Sequence, residues 1–226
     1  MNNHPPKILL LILLLFGCNQ KQLIETQSFC KNIKTPCLDK KGKVSIKTKY
    51  GDIIIEIDGK LAPITAGNFL DIIEKKLYEG TSFHRVIKSP YPFIIQGGNL
   101  NLKTKSSKWT PNESRTIING IKKQSRQIPL EIKLKTDQKP RYNSPVINPN
   151  ELPLIQLTHK RGAIAMARSQ RINSGSTQFY IALKPLPELD GRYAVFGKVI
   201  KGMNIVELIE QGDKIEKTVS LINKKD

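Results

Sequence analysis

A closed antiparallel sheet with helices plugging it is the fold class this chain predicts, on three observations. Short alternating strands outnumber helices, the two helical stripes lie far apart in the chain, and no strand–helix–strand repeat is present. Val44, Ile46 and Thr48 alternate with polar residues, Tyr50-Gly51-Asp52 breaks the run, and Ile53 to Ile57 resumes it, the pattern of a β-hairpin. Pro63 ends the next loop, and Thr65 is the expected N-cap of a helix. Phe69, Ile72, Ile73 and Leu77 then recur at helical spacing with Gly80 just past the end, a core-facing stripe. Short strands are expected at Phe83–Ile87, Phe93–Gln96, Ala163–Ala167, Gln178–Leu183 and Tyr193–Val199, and a last one at about Thr218–Ile222. A second helix starts after Gly202, carries Ile205, Leu208 and Ile209 on one face, and stops at Gly212.

Ahead of this domain the sequence reads differently. Residues 1–17 combine a short polar start bearing Lys7 with the apolar run Ile8 to Gly17, and Cys18 follows directly. The run is too short to span a bilayer as an ordinary helix, which excludes a polytopic membrane protein. It has the make-up of a secretory signal peptide. Leu15-Phe16-Gly17-Cys18 resembles a bacterial lipoprotein box, in which the cysteine is acylated and becomes the new N-terminus. The expectation is therefore a signal at 1–17, a lipidated Cys18, and a polar tether over 18–43. With Cys18 carrying lipid, Cys30 and Cys37 remain as a candidate disulfide pair, and two free thiols are the alternative. A bridge closing so short a loop contributes about 2–3 kcal/mol in the chain-entropy model.

The domain proper is expected over 44–222, with a basic insertion at about 101–157. Within it, residues 103–141 hold 11 Lys/Arg against 3 Asp/Glu, and Pro129, Pro140, Pro145, Pro149 and Pro153 punctuate the insertion as a whole. It reads as a long surface excursion with one short helix around Thr116–Lys123. The whole chain carries 37 Lys+Arg against 19 Asp+Glu, a formal charge of +18. Such a balance suits nucleic acid, but aromatics are 6% of the chain and no recognition motif accompanies the charge. A solvated basic face near anionic lipid is the simpler account, and no nucleic-acid partner is expected. His84 and His159 are not at metal-ligand spacing, so no metal is expected, and His84 reads as a satisfied structural histidine. There is no phosphate-cradling glycine loop, and Ser174-Gly175-Ser176-Thr177 lacks the elbow of a serine hydrolase.

Several segments in fixed order carry more information. Phe83-His84-Arg85-Val86-Ile87 is followed by Phe93-Ile94-Ile95-Gln96-Gly97-Gly98. Downstream come Arg161 to Arg168, Asn173 to Ile181, and Leu189-Asp190-Gly191-Arg192-Tyr193-Ala194-Val195-Phe196-Gly197. The series resembles the cyclophilin family of peptidyl-prolyl cis–trans isomerases over roughly residues 45–222, the basic insertion apart. That resemblance implies a mainly β fold: a closed eight-stranded antiparallel barrel capped by two helices. It also implies that Arg85 is the catalytic arginine and that Phe93, Ile94, Tyr180, Leu189 and Tyr193 line a proline pocket. Gln96 corresponds to the amide that bonds substrate backbone, Ala167 and Arg168 to the stretch whose backbone meets the peptide, and Gln178 to another polar wall residue. Phe83 and Phe179 read as plain core.

The departures are specific. Ile94 stands where many members have Met, Tyr180 where many have Phe, and Tyr193 where eukaryotic forms have His. Glu188 replaces a Trp that the immunosuppressant cyclosporin uses, which implies weak drug binding. Ser89-Pro90-Tyr91-Pro92 lengthens the turn before Phe93.

The expected function is isomerisation of X–Pro bonds during folding of exported proteins, without a cofactor, by a monomer tethered through its N-terminal lipid in the bacterial cell envelope. Proline-containing exported polypeptides are the expected partners. The competing expectation is a scaffold lipoprotein that binds proline peptides and catalyses weakly.

Overall fold

The computed structural model describes residues 35–100, 116–118, 121–123 and 126–222. The apolar run, Cys18, Cys30 and most of the predicted tether lie outside these residues, as does much of the basic insertion. Strands β1 (Lys41–Thr48) and β2 (Gly51–Asp58) form the predicted hairpin, in register from Lys41 opposite Asp58 to Thr48 opposite Gly51. Alternate residues of β1 are buried, so Val44, Ile46 and Thr48 face inward. The predicted tether extends too far, because the chain is already held from Thr35 onward. Thr35 and Leu38 are buried, and the Leu38 N–H donates to the Pro63 carbonyl at 3.0 Å. The Pro36 carbonyl lies so close to Gly67 that a Cβ there would collide with it. Cys37, in the same segment, is disulfide-bonded.

Helix α1 (Pro63–Glu74) packs Phe69, Ile72 and Ile73 into the core. Ala62 is its N-cap, with no side-chain cap, and Thr65 lies inside the first turn rather than capping it. The open N–H groups of Ile64 and Thr65 are instead taken by the two carboxylate oxygens of Glu131, at 3.2 and 2.9 Å. A cap supplied from 66 residues away leaves no local sequence signature. The Phe69 ring meets those of Phe196, Phe179 and Tyr78 at 5.0, 5.3 and 5.5 Å between centroids.

The remaining elements, in chain order, are β3 (Arg85–Val86), β4 (Ile94–Gly97), β5 (Thr116–Ile118), β6 (Ile121–Lys123), β7 (Glu131–Ile132) and β8 (Arg141–Tyr142). They continue with β9 (Ala163–Met166), β10 (Phe179–Ala182), β11 (Val195–Lys201), α2 (Met203–Leu208) and β12 (Lys217–Ser220). Eight strands form one antiparallel sheet in the order β12-β1-β2-β11-β9-β10-β4-β3. This is an open half-barrel, not the closed barrel expected, because β12 and β3 do not pair. Strand β3 spends both of its residues on pairing with β4, Arg85 opposite Gln96 and Val86 opposite Ile95. Just before it, one isolated bridge joins Ser82 to Lys214, and Phe83 N–H donates to the Asp213 carbonyl at 2.9 Å.

Two other expectations fail for local reasons. Where a helix around Thr116–Lys123 is expected, β5 (Thr116–Ile118) pairs antiparallel with β6 (Ile121–Lys123), Ile118 opposite Ile121. Asn119-Gly120 between β-branched residues is a strong hairpin signal, and it outranks the weak helical pattern. In α2, Ile205, Val206 and Ile209 pack on the core as a face, and of the predicted set only Leu208 is out, 53% exposed. The helix ends at Leu208 and Ile209 is extended, so helical spacing no longer relates the two.

The latter half of the insertion is also more than a surface excursion. Leu130, Ile132, Leu134, Val146 and Ile155 form a separate apolar cluster with Ala194. Val146 leans on the 187–193 loop: its N–H donates to the Gly191 carbonyl at 2.9 Å, and its own carbonyl sits where a Gly191 Cβ would be. Gly191 has φ +73°, so glycine is needed there on both counts.

Candidate active site

Sheet register creates the site. Arg85 is opposite Gln96, Gln96 is opposite Tyr180, Tyr180 is opposite Ala165, and Ala165 is opposite Val195. Directly opposed residues project to the same face, so this row runs across five strands on the outer face of the sheet. The intervening residues, Ile95, Ile181 and Ile164, point into the main core.

The row is polar at one end and apolar at the other. Arg85 is exposed, and its Nη1 donates to Gln96 Oε1 at 3.3 Å. Gln96 Nε2 in turn donates to Gln178 Oε1 at 2.8 Å, which orients the Gln96 amide. Beyond Gln96 lies a cluster of buried Ile94, Ala163, Ala165, Tyr180, Ala182, Leu186 and Val195. Phe93, Ala167, Leu189 and Tyr193 pack on it while staying half-buried. A guanidinium and two amides therefore border an apolar patch whose floor includes three alanines, Ala163, Ala165 and Ala182.

Each flank has a structural cause. In the long turn from Ser89 to Pro92 Tyr91 is exposed, and Phe93, just past it, is held by backbone bonds on both sides. The Phe93 N–H donates to the Ile87 carbonyl at 3.0 Å, and its carbonyl accepts from Leu183 N–H at 2.9 Å. Tyr193 stands edge-on to Tyr180, with centroids 5.9 Å apart. Arg168 lies over the Tyr193 ring at 4.7 Å and donates Nε and Nη2 to the Arg192 carbonyl at 3.0 and 2.9 Å. Its side chain therefore clamps the loop, and the Ala167 N–H is held by the Gln178 carbonyl at 2.9 Å. Glu188 is exposed in the turn before Leu189.

The sequence-predicted residues thus assemble on one face: Arg85, Phe93, Ile94, Gln96, Ala167, Arg168, Gln178, Tyr180, Leu189 and Tyr193. Phe83 and Phe179 are fully buried in the main core, as expected. His84 is half-buried with no hydrogen-bond partner for Nδ1 among the described residues, so it is not the satisfied histidine expected. The other histidine matters more to the patch. His159 Nε2 is 2.8 Å from the Tyr180 hydroxyl and its Nδ1 is 2.7 Å from Asp190 Oδ1. Burial holds the Tyr180 phenol well above its ordinary pKa, with the neighbouring Tyr193 and Asp190 adding to the rise. Neither His159 nor Asp190 carries a spacing signal, and a Tyr in a Phe position was the one available hint of a partner.

Comparison with known proteins agrees with this geometry. Residues 43–224 match the family model of the cyclophilin type peptidyl-prolyl cis-trans isomerases. The chain is 35% identical over 190 residues to a Synechocystis sp. protein named for a thylakoid lumen peptidyl-prolyl cis-trans isomerase. That match covers 80% of this chain and 47% of the relative, about half the relative's length. It is 33% identical over 189 residues to a peptidyl-prolyl cis-trans isomerase of Helicobacter pylori, covering 83% of this chain and 91% of that one. A crystal structure of a cyclophilin type isomerase from Cryptosporidium parvum, obtained in the presence of the dipeptide Ala-Pro, superimposes with a TM-score of 0.53. It is 26% identical and covers 80% of this chain and 99% of its own. The chain belongs to the cyclophilin-type peptidyl-prolyl cis-trans isomerases, a family of enzymes.

Proposed function

We propose that this chain isomerises X–Pro bonds in exported polypeptides, with the outer-face row as its active site. The observation that carries the reading is Arg85 and Gln96, hydrogen-bonded at 3.3 Å on the border of the apolar cluster. The reaction rotates a peptide bond against a barrier of roughly 18–20 kcal/mol, and X–Pro bonds exchange unaided in tens to hundreds of seconds. No bond is made or broken, so the residues needed are a seat for the ring and a donor favouring the twisted state. Phe93, Ile94, Tyr180, Leu189 and Tyr193 seat the proline ring. Gln96, and the backbone at Ala167 and Arg168, hold the flanking peptide, with Gln178 orienting the Gln96 amide. In the twisted state the prolyl nitrogen loses conjugation and becomes a better acceptor. The Arg85 guanidinium, always charged and exposed at the rim, binds that state more tightly than either planar isomer.

Arg85→Ala tests the mechanism. It should slow isomerisation by roughly 10²–10³-fold, about 3–4 kcal/mol, while affinity for a proline peptide falls far less. Equal rates for variant and wild type would remove the mechanism and leave a peptide-binding scaffold.

We place the enzyme outside the cytoplasm, tethered by lipid on Cys18 and working as a monomer on unfolded exported chains. The apolar run before Cys18 and the thylakoid lumen relative support this. Among the described residues no helix is long and apolar enough to cross a membrane. Cys18→Ser should leave an uncleaved or unlipidated precursor, and fractionation that finds the variant processed and membrane-bound like the wild type would remove the anchor.

A further inference from the structure

His159 is a buried, titratable side chain that the isomerisation itself does not use. Its ring is fully enclosed and its backbone is fixed on both sides. The His159 N–H donates to Asp190 Oδ1 at 2.8 Å, and its carbonyl accepts from Leu186 N–H at 2.8 Å. Asp190 Oδ1 also faces Nδ1 at 2.7 Å. A carboxylate has no hydrogen to give, so Nδ1 carries one, and in the tautomer with that single ring hydrogen Nε2 keeps a lone pair. The Tyr180 hydroxyl, 2.8 Å from Nε2, is then the donor. The two rings lie nearly parallel, at 9°.

We infer that His159 is a positioning residue for the proline seat: by accepting the Tyr180 hydroxyl it turns the polar end of that ring away from the apolar patch. A buried phenol without an acceptor is unfavourable, so its hydroxyl would otherwise seek water. The open side of Tyr180 is the patch itself, where Phe93, Ala167, Leu189 and Tyr193 are half-buried. The same linkage ties two walls together. Asp190 follows Leu189 directly and Tyr193 packs edge-on against Tyr180, so the loop is joined to strand β10 at two points. A Phe at position 180 would need no such acceptor. Tyr180 thus behaves as a Phe toward substrate only while His159 holds its hydroxyl. The inference rests on the proline-binding reading above.

That dependence supplies the test. In purified full chain, His159→Leu should weaken binding of a short Ala-Pro-containing peptide about tenfold. Adding Tyr180→Phe to that variant should restore at least about threefold, since the hydroxyl needing an acceptor is gone. A role of His159 in stability alone would show no such rescue. Binding by His159→Leu equal to the wild type, or a double variant no better than the single, overturns the inference. Failure of the wild type itself to bind the peptide would remove the proline reading and the inference with it. Should His159→Leu not fold, nitrogen-15 spectra of the wild-type histidines decide. Hydrogen on Nδ1 with Nε2 bare supports the arrangement, and hydrogen on Nε2 overturns it.

Discussion

The two faces of strands β4, β9 and β10 are built from alternate residues of the same short segments, and they differ in kind. Inward, Ile95, Ile164, Met166, Phe179 and Ile181 share the main buried core with Phe69, Ile72 and Ile73 of α1. Outward, Ile94, Ala163, Ala165, Tyr180 and Ala182 form a shallower layer bordered by Gln96 and Arg85. Large residues on one side fill space, and small residues on the other leave a floor on which a ligand can rest. Under the proposed function, period-two alternation separates stability from binding within single strands. Substitutions one residue apart should act on different observables.

The largest expected effect is on the inner face. Phe179 is fully buried against Phe69 and Tyr78, both at 5.3 Å, and Phe83 at 6.4 Å. Phe179→Ala should lower unfolding stability by about 3–5 kcal/mol in chemical denaturation. A loss below about 1 kcal/mol would break the division of labour.

The next effect sharpens it from the helix side. Glu131, fully enclosed, has its pKa raised from 4.5 to about 7, mainly by desolvation, against hydrogen bonds from Thr65 and Ile64 that favour its charge. The folded state thus keeps its proton over a range where the unfolded chain has lost it. Stability contributed by this group is present at low pH and declines as pH rises from about 4.5 to 7, by up to about 3 kcal/mol. Denaturation at several pH values checks the slope, and Glu131→Gln should flatten it. Activity at a fixed folded fraction should not follow that slope.

The smallest effect belongs to the outer face. Phe93→Ala should weaken peptide affinity and catalysis together, by about tenfold, or 1.4 kcal/mol. Its stability change should be well under that of Phe179→Ala, because Phe93 is only half-buried. Titration of peptide against the variant measures the first, and denaturation the second.

Legibility followed the range of the interactions. The hairpin of β1 and β2 was evident from alternation, and α1 from its Phe69, Ile72 and Ile73 stripe, since both signals are local. The cap on α1 was not, because Glu131 reaches Ile64 and Thr65 from a separate hairpin. In the basic insertion, charge density hid the apolar set Leu130, Ile132, Leu134 and Val146, whose partners are dispersed rather than periodic. That the sheet stays open between β3 and β12 is a matter of which strands pair, which alternation within a strand does not set.

For the site, the ordered segments around Arg85, Phe93, Gln178 and Leu189 were enough to propose the residue set and the family. They carry backbone turns and side-chain types that chemistry at a prolyl bond demands, and these persist in the linear code. Which residues stand opposite one another was decided only by folding. The register of Gln96 between Arg85 and Tyr180 arises from pairing of strands remote in sequence. The link from Asp190 through His159 to Tyr180 joins three segments that only burial brings within 2.7–2.8 Å. Local propensity and patterning are written residue by residue, whereas a hydrogen bond between distant polar groups exists only once the chain has excluded water around both.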